Sequence, residues 1–259
     1  MGGQSPAAAP ILNTANVFKH FGEVHAVDGV DLHISPGEVL SIVGPNGAGK
    51  TTLLKLLSGG YELDRGRVFF LGEDISRVSL VQRVNRGIVY SFQIPALFEN
   101  LTALEAIGLV LLARRKKTVV FFPVMEKFTE IRQEAQEVLE MFNVPEDFPA
   151  NLLPHGQRKL LDAAMAFAYR PKLLLLDEPT SGVSTAEKAK VMDTIMPNIG
   201  KSNTTTVIVE HDMEIVLRYS QRVIVMDQGK IFAQGIPREV MEDPKVREVL
   251  MGISASAKT

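Results

Sequence analysis

The sequence contains no cysteine. Disulfides and thiolate metal sites are therefore excluded, and a reducing compartment is permitted. Positive charge is not in excess either: 28 Lys and Arg stand against 30 Asp and Glu, a net charge of -2. No surplus is left to neutralise a run of nucleic-acid phosphates, so no nucleic-acid partner is expected. A long apolar run is also missing, since the longest, Ala103 to Ala113, is interrupted by Glu105 and is too short to span a bilayer. Residues 1–10 hold Gly, Ser, Ala and Pro with neither a basic start nor an apolar centre, and are expected to be a disordered lead rather than a signal peptide. The expectation is a soluble protein whose membrane association comes through a partner. At 259 residues it can form one large domain, with or without sub-lobes, around a core that needs no disulfide or metal.

What is present is concentrated in residues 44–51, Gly44-Pro45-Asn46-Gly47-Ala48-Gly49-Lys50-Thr51. An apolar strand, Val39 to Val43, leads into this stretch, and a helix from Thr52 to Leu57 leaves it and stops at Gly59-Gly60. The pattern G-x-x-x-x-G-K-T lets backbone N–H groups turn inward around a polyphosphate with no Cβ in the way. The helix start adds a positive dipole end, Lys50 a point charge for the outer phosphates, and Thr51 a hydroxyl able to ligate Mg²⁺. A nucleoside triphosphate site is the first expectation.

Residues 11–34 alternate loosely, with breaks at Phe21-Gly22-Glu23 and Asp28-Gly29 and a turn at Ser35-Pro36-Gly37, which predicts an antiparallel meander. A further short strand pair is predicted around Arg67 to Phe70, with a turn over Leu71-Gly72-Glu73-Asp74. Arg86 to Gln93 reads as a core strand ending in a polar residue. From about 100 to 167 the period is helical, with Met125, Phe128, Ile131, Ala135, Val138, Leu139 and Phe142 at spacings of three and four. The basic run Arg114 to Lys117 is read as a solvated helix end, with an acidic partner or phospholipid as the alternative. A helix opens after Pro154 and ends at Arg170-Pro171; four leucines, Leu173 to Leu176, then predict a strand buried on both faces, ending in Asp177-Glu178. Ser184-Thr185-Ala186-Glu187 has the form of a capping box before a helix through Val191, Ile195 and Ile199. Thr205 to Val209 is a second buried strand, ending in Glu210-His211-Asp212. A hairpin over Asp227-Gln228-Gly229 and two short helices close the chain.

Ligands of parallel sheets gather at the carboxyl ends of the strands. Asp177 is placed there to hold a metal shell, Glu178 to polarise an attacking water, and His211 to donate to a γ-phosphate. Gln93 offers an amide oxygen for a metal and two N–H donors.

In this order the residues resemble the nucleotide-binding subunit of ABC transporters. Gly44 to Thr51 matches the Walker A motif, Gln93 the Q-loop, Leu173 to Asp177 the Walker B motif, Glu178 the catalytic glutamate and His211 the switch histidine. The resemblance implies an α/β fold: a P-loop NTPase (RecA-like) core, an antiparallel β lobe, and a helical lobe at about 95–167 inserted in the core. Residues 11–252 would then be one ATPase domain and 253–259 a flexible tail. It implies ATP and Mg²⁺ as ligands, with Gly44, Pro45, Asn46, Gly47, Ala48, Gly49, Lys50, Thr51, Thr52 and Gln93 around the nucleotide. Thr51, Gln93 and Asp177 would serve the metal, and Lys50, Glu178 and His211 catalysis. Phe21 matches the aromatic that stacks on adenine, although a plain hairpin aromatic explains it equally well.

Within the family, Val209 to Met213 and Arg86 to Gln93 look most like subunits of branched-chain amino acid importers, with importers of urea and amides and the lipopolysaccharide-export ATPase as near relatives. The implied partners are a second ABC ATPase subunit, homo- or heterodimeric and docked head to tail, and membrane permease subunits, at the cytoplasmic face of the membrane. Alternatives are a regulatory ATP-binding subunit with a degenerate signature motif and little hydrolysis, the ATPase of a lipopolysaccharide-type exporter, or a soluble ABC protein of DNA repair or translation. The last is disfavoured by a single P-loop, no long coiled-coil insert and near-neutral charge.

Two departures stand out. The family signature Leu-Ser-Gly-Gly-Gln falls on Leu153-Pro154-His155-Gly156-Gln157, where Pro154 has neither hydroxyl nor N–H. The implied contact with ATP on an opposite subunit is left to His155, Gly156 and Gln157. The family's Asp after the Walker B turn is Ser184.

Overall fold

The computed structural model describes residues 9–91, 100–115 and 129–252. Gln93, Met125, Phe128, Lys116, Lys117, most of the lead and the tail from 253 lie outside the described residues. In chain order the elements are β1 (Leu12–Phe21), β2 (Val24–Val30), β3 (His33–Ile34), β4 (Val39–Val43), α1 (Lys50–Ser58), β5 (Arg65–Phe70), β6 (Glu73–Asp74), α2 (Leu80–Arg86), β7 (Ile88–Ser91), α3 (Ala103–Arg114), α4 (Thr129–Met141), α5 (His155–Ala168), β8 (Leu173–Asp177), α6 (Thr185–Ser202), β9 (Thr205–Val209), α7 (Met213–Tyr219), β10 (Arg222–Asp227), β11 (Lys230–Gly235), α8 (Pro237–Glu242) and α9 (Pro244–Leu250). They fall into two compact units, one running to Arg83 and resuming at Thr204, the other comprising Val84–Asn203.

The first unit holds two sheets. In one, β4 lies between β9 and β10, parallel to both, and β11 closes antiparallel on β10. Strands β4, β9 and β10 are almost wholly buried because their β-branched and leucine side chains are covered on both faces. The β10–β11 turn is Gln228-Gly229, both at positive φ (46° and 78°), the two-residue geometry whose twist suits a hairpin.

The other sheet runs β2-β1-β5-β6, with β3 pairing the start of β1. It is not the simple meander expected, because β1 is shared by three partners. Asp28-Gly29 does not break β2: the strand runs through, Gly29 at φ 73°. Glu73-Asp74 is a short strand, so the turn before it is only Leu71-Gly72.

Helix α1 begins at Lys50, two residues earlier than expected, and ends on Gly59 in the left-handed conformation. Arg83, only 1% exposed, lies at that end: its guanidinium donates to the carbonyls of Leu56 and Leu57 at 2.7 and 2.8 Å, and to Ile75 at 2.7 Å. Carbonyls left over at a helix C-terminus are thus satisfied by a cation that also suits the negative dipole end.

In the second unit β7 and β8 pair in parallel, with all of β7 and the four leucines of β8 buried. The described part of the basic run, Arg114 and Arg115, behaves differently from the solvated end expected. Arg114 and Arg115 both donate to Glu134 on α4, at 2.8 and 2.7 Å, and Arg170 joins them at 2.9 Å. Burial by itself would raise the Glu134 carboxyl, but the three guanidinium groups outweigh it and hold it below the usual range. Both described members of the run are therefore internal ties of the helical region.

The capping box expected at Ser184 is not formed in its backbone sense. Ser184 is the N-cap of α6, but its hydroxyl donates to the Glu187 carboxylate at 2.6 Å instead of accepting from a backbone N–H. A complete box sits at Thr102 and Glu105, at the head of α3.

Candidate active site

The phosphate loop lies at the carboxyl end of β4, between the ends of β9 and β10. Its shape depends on glycine at two points. A Cβ on Gly44 would stand 2.1 Å from the Met226 carbonyl oxygen, and one on Gly49, at φ 98°, would stand 2.0 Å from that of Ala26. Helix α1 then starts with Gly49 as N-cap, without a side-chain cap and without an acidic residue in its first turn. The positive end of its dipole is thus uncompensated, as anion binding requires.

Lys50 is 6% exposed and turns back over the loop, donating to the carbonyls of Gly44 and Pro45 at 2.9 Å each. Thr51 and Thr52 follow on α1, both half-buried, while Asn46 and Gly47 form the exposed crest of the loop.

Strand β9 leaves the same sheet beside this loop, so Glu210 and His211 emerge next to Val43 and Gly44. His211 is exposed; Glu210 is buried, and its carboxylate accepts the His211 N–H at 3.1 Å. Phe21, at the end of β1, is 46% exposed and packs edge-on against Tyr61, ring centroids 5.4 Å apart, with the Lys19 ammonium 5.4 Å from its ring. One face of an aromatic held in this way is able to receive a planar ligand.

In the second unit Asp177 ends β8, and its Oδ2 accepts the Tyr90 hydroxyl of β7 at 2.6 Å. Tyr90 was missed from sequence, where it reads as one more apolar strand residue; the signal was a lone phenol at the end of a buried strand. Glu178 follows at φ 51°, a left-handed conformation that a non-glycine residue adopts at a cost.

Helix α5 starts directly after Pro154, which is its N-cap rather than a residue of its first turn. Two of its side chains fasten the segment that follows Glu178. His155 places Nε2 3.2 Å from the Ser181 carbonyl, and Lys159 donates to the Glu178 carbonyl at 3.2 Å and to the Ser181 hydroxyl at 2.8 Å. Lys159 was also missed, although its spacing of four from His155 puts both on one helix face.

Asp162, one turn further along α5, is part-buried, and desolvation raises its carboxyl to about 7 against the opposing effect of Lys159. The unfolded carboxyl titrates near 3.8, so the folded state holds this proton more tightly. The associated stability is complete below that value and is lost as pH rises through the folded pKa. Asp162→Asn removes the ionisation: its gain in stability over wild type should be near zero at pH 4 and grow to a plateau above pH 7, with a ceiling of about 4 kcal/mol at 1.36 kcal/mol per pKa unit. Thermal unfolding of both proteins across this range checks it.

In the first unit the Thr51 hydroxyl is a hard oxygen of the kind that suits Mg²⁺; in the second unit the Asp177 carboxylate, oriented by Tyr90, is another. Gln93 lies outside the described residues. Among the described residues no helix is long and apolar enough to cross a membrane.

Comparison with known proteins shows the family and the fold. The ABC transporter family model matches residues 27–181. The probable branched-chain amino acid transport ATP-binding protein LivG of Methanocaldococcus jannaschii is 34% identical, covering 93% of this chain and 97% of its own. The lipopolysaccharide export system ATP-binding protein LptB of Haemophilus influenzae is 32% identical over 93% of this chain and 97% of its own. A crystal structure of an ATP-binding cassette of an ABC transporter in its ADP conformation superposes with a TM-score of 0.79 at 32% identity, covering 95% of this chain and all of the other. With a phosphate loop at β4, an acidic strand end at β8 and a P-loop α/β fold in place, the chain belongs to the ABC transporter family as an ATP-binding subunit that hydrolyses ATP.

Proposed function

We propose that this subunit energises an importer of amino acids of the branched-chain type. The observation that carries the solute class is its likeness to LivG along nearly the whole of both chains. The similar likeness to LptB supplies the second reading, an exporter of lipopolysaccharide type. Co-purified permease partners reconstituted in vesicles distinguish them: ATP-dependent uptake of leucine supports the first reading, and its absence together with lipopolysaccharide extraction supports the second.

In this reading residues 44–52 wrap the ATP phosphates, Phe21 stacks on adenine, and Lys50 and the loop amides balance phosphate charge. Thr51, Gln93 and Asp177 are the residues that would hold Mg²⁺, which would neutralise charge on the phosphates. Glu178 draws a proton from the attacking water, and His211 donates to the γ-phosphate in flight. The subunit works at the cytoplasmic face of the membrane on permease subunits, paired head to tail with a second ATPase subunit. The helical lobe at about 95–167 carries the signature helix to the partner's ATP.

There the contribution is weak. Pro154 supplies no hydroxyl and no N–H, and His155 is engaged by the Ser181 carbonyl, which leaves the Gly156 amide, Gln157 and the helix dipole. We infer an asymmetric dimer with one degenerate composite site, completed by a different ATPase with an intact signature. A serine donor aimed at the γ-phosphate is a group of the kind worth about 10²–10³ in rate. Pro154→Ser should therefore raise ATP turnover of the assembled complex severalfold. Unchanged turnover, in a complex whose two sites already fire equally, overturns the inference.

A further inference from the structure

The sequence drew no function from His20, His25 or Asp28, and the nucleotide chemistry does not use them. They form a cluster in the first unit whose ligand atoms all lie within 4.8 Å of one another. A bulge creates it. Along the β1–β2 ladder Lys19 faces Val27 but His20 faces His25, so β2 holds one extra residue at Ala26. In a regular strand His25 and Asp28, three apart, would point to opposite faces; one inserted residue turns them to the same face, beside the cross-strand His20. The two imidazoles stack with centroids 4.0 Å apart.

Two further features point to a ligand. His20 Nε2 is buried and has no hydrogen-bond partner among the described residues, which is uncommon for a polar atom and fits a lone pair kept for something absent. Asp28 is already oriented: Lys230 holds Oδ2 at 3.1 Å, and Oδ1 lies 4.0 Å from His25 Nδ1.

We propose that His20, His25 and Asp28 bind a divalent transition-metal ion of the zinc type. Two imidazole nitrogens and one carboxylate oxygen are a three-ligand set that suits Zn²⁺ and leaves a fourth position for water. Bonds of ~2.0–2.1 Å in a tetrahedron require ligand atoms about 3.4 Å apart, so the cluster must close slightly. His25, whose side chain is 57% exposed, can turn to do this. An ion there would brace the strand behind the phosphate loop, because the Asp28 N–H donates to the Gly229 carbonyl and the Gly229 N–H donates to that of Ala48.

The test uses the full chain, freed of nucleotide and treated with a chelator. Co²⁺ is the spectroscopic probe and Zn²⁺ competes with it in calorimetry. One Co²⁺ per chain with tetrahedral visible absorption is expected, displaced by Zn²⁺, with affinity at least ~10-fold weaker in His25→Ala and in Asp28→Asn and unchanged in His33→Ala. Zn²⁺ should also raise the Tm of the wild type and not of Asp28→Asn. His25 is exposed, so its alanine variant folds and keeps the test decisive if Asp28→Asn does not. Wild-type affinity in both His25→Ala and Asp28→Asn, or no binding by wild type at 100-fold molar excess of Co²⁺, overturns the proposal.

Discussion

Replacing Glu178 by glutamine should leave ATP binding intact and lower turnover by about 10²–10⁴-fold, the range that a positioned general base contributes. The expectation rests on local geometry. Glu178 leaves the buried strand β8 in a left-handed conformation, φ 51°, and its carbonyl is held by the Lys159 ammonium at 3.2 Å. Backbone strain of that kind, about 1–3 kcal/mol, persists where the surroundings fix it, and functional sites are where it gathers. Glutamine has the same shape and no basic oxygen of comparable strength, so the turn survives while proton transfer does not. Turnover at saturating ATP, measured beside the Kd for nucleotide, separates the two. Turnover near wild type would remove Glu178 from the role of base.

The second large effect is expected at Gly49. An alanine there must place its Cβ 2.0 Å from the Ala26 carbonyl oxygen and also adopt φ 98°. Neither backbone can yield cheaply, since Gly49 caps α1 and Ala26 belongs to β2. Gly49→Ala should cost about 3–5 kcal/mol, a Tm fall of about 10 °C, with loss of nucleotide binding. Gly47 is the control: it too has positive φ, 81°, but its Cβ would meet nothing within 4 Å. Gly47→Ala should cost about 1 kcal/mol, from strain alone. Similar Tm values for the two variants would show that the loop has room at Gly49 after all. Calorimetry and nucleotide titration supply both readings.

The parts of this protein that were legible in its sequence are those whose cause is local. The loop of residues 44–51, the runs of β8 and β9, the helix start after Pro154 and the Gln228-Gly229 hairpin each carry their explanation within a few residues. What escaped depends on partners distant in sequence. Helices α2 and α7 are seven residues each, too short to show a period. Asp28-Gly29 has the composition of a turn, yet pairing with β1 overrides it and yields a strand. The basic run reads as solvated until Glu134 arrives from the next helix. Ser184 and Thr102 head the same four-residue pattern, and only the second forms the box, so the pattern marks a helix start without fixing where its side chains bond. Tyr90 and Lys159 gain their importance from what they touch, Asp177 and the turn after Glu178.

The phosphate loop is also a matter of timing. Its shape is supported by the β10–β11 hairpin: the Gly229 N–H donates to the Ala48 carbonyl, and the Met226 carbonyl packs against Gly44. Those supports are synthesised long after the motif itself, on the order of 10–40 s later at ~5–20 residues per second. A nascent chain therefore carries the nucleotide-binding motif well before it carries the cradle. The loop reaches its described form only once the C-terminal hairpin has left the ribosome and docked, a contact of long sequence separation and correspondingly slow closure.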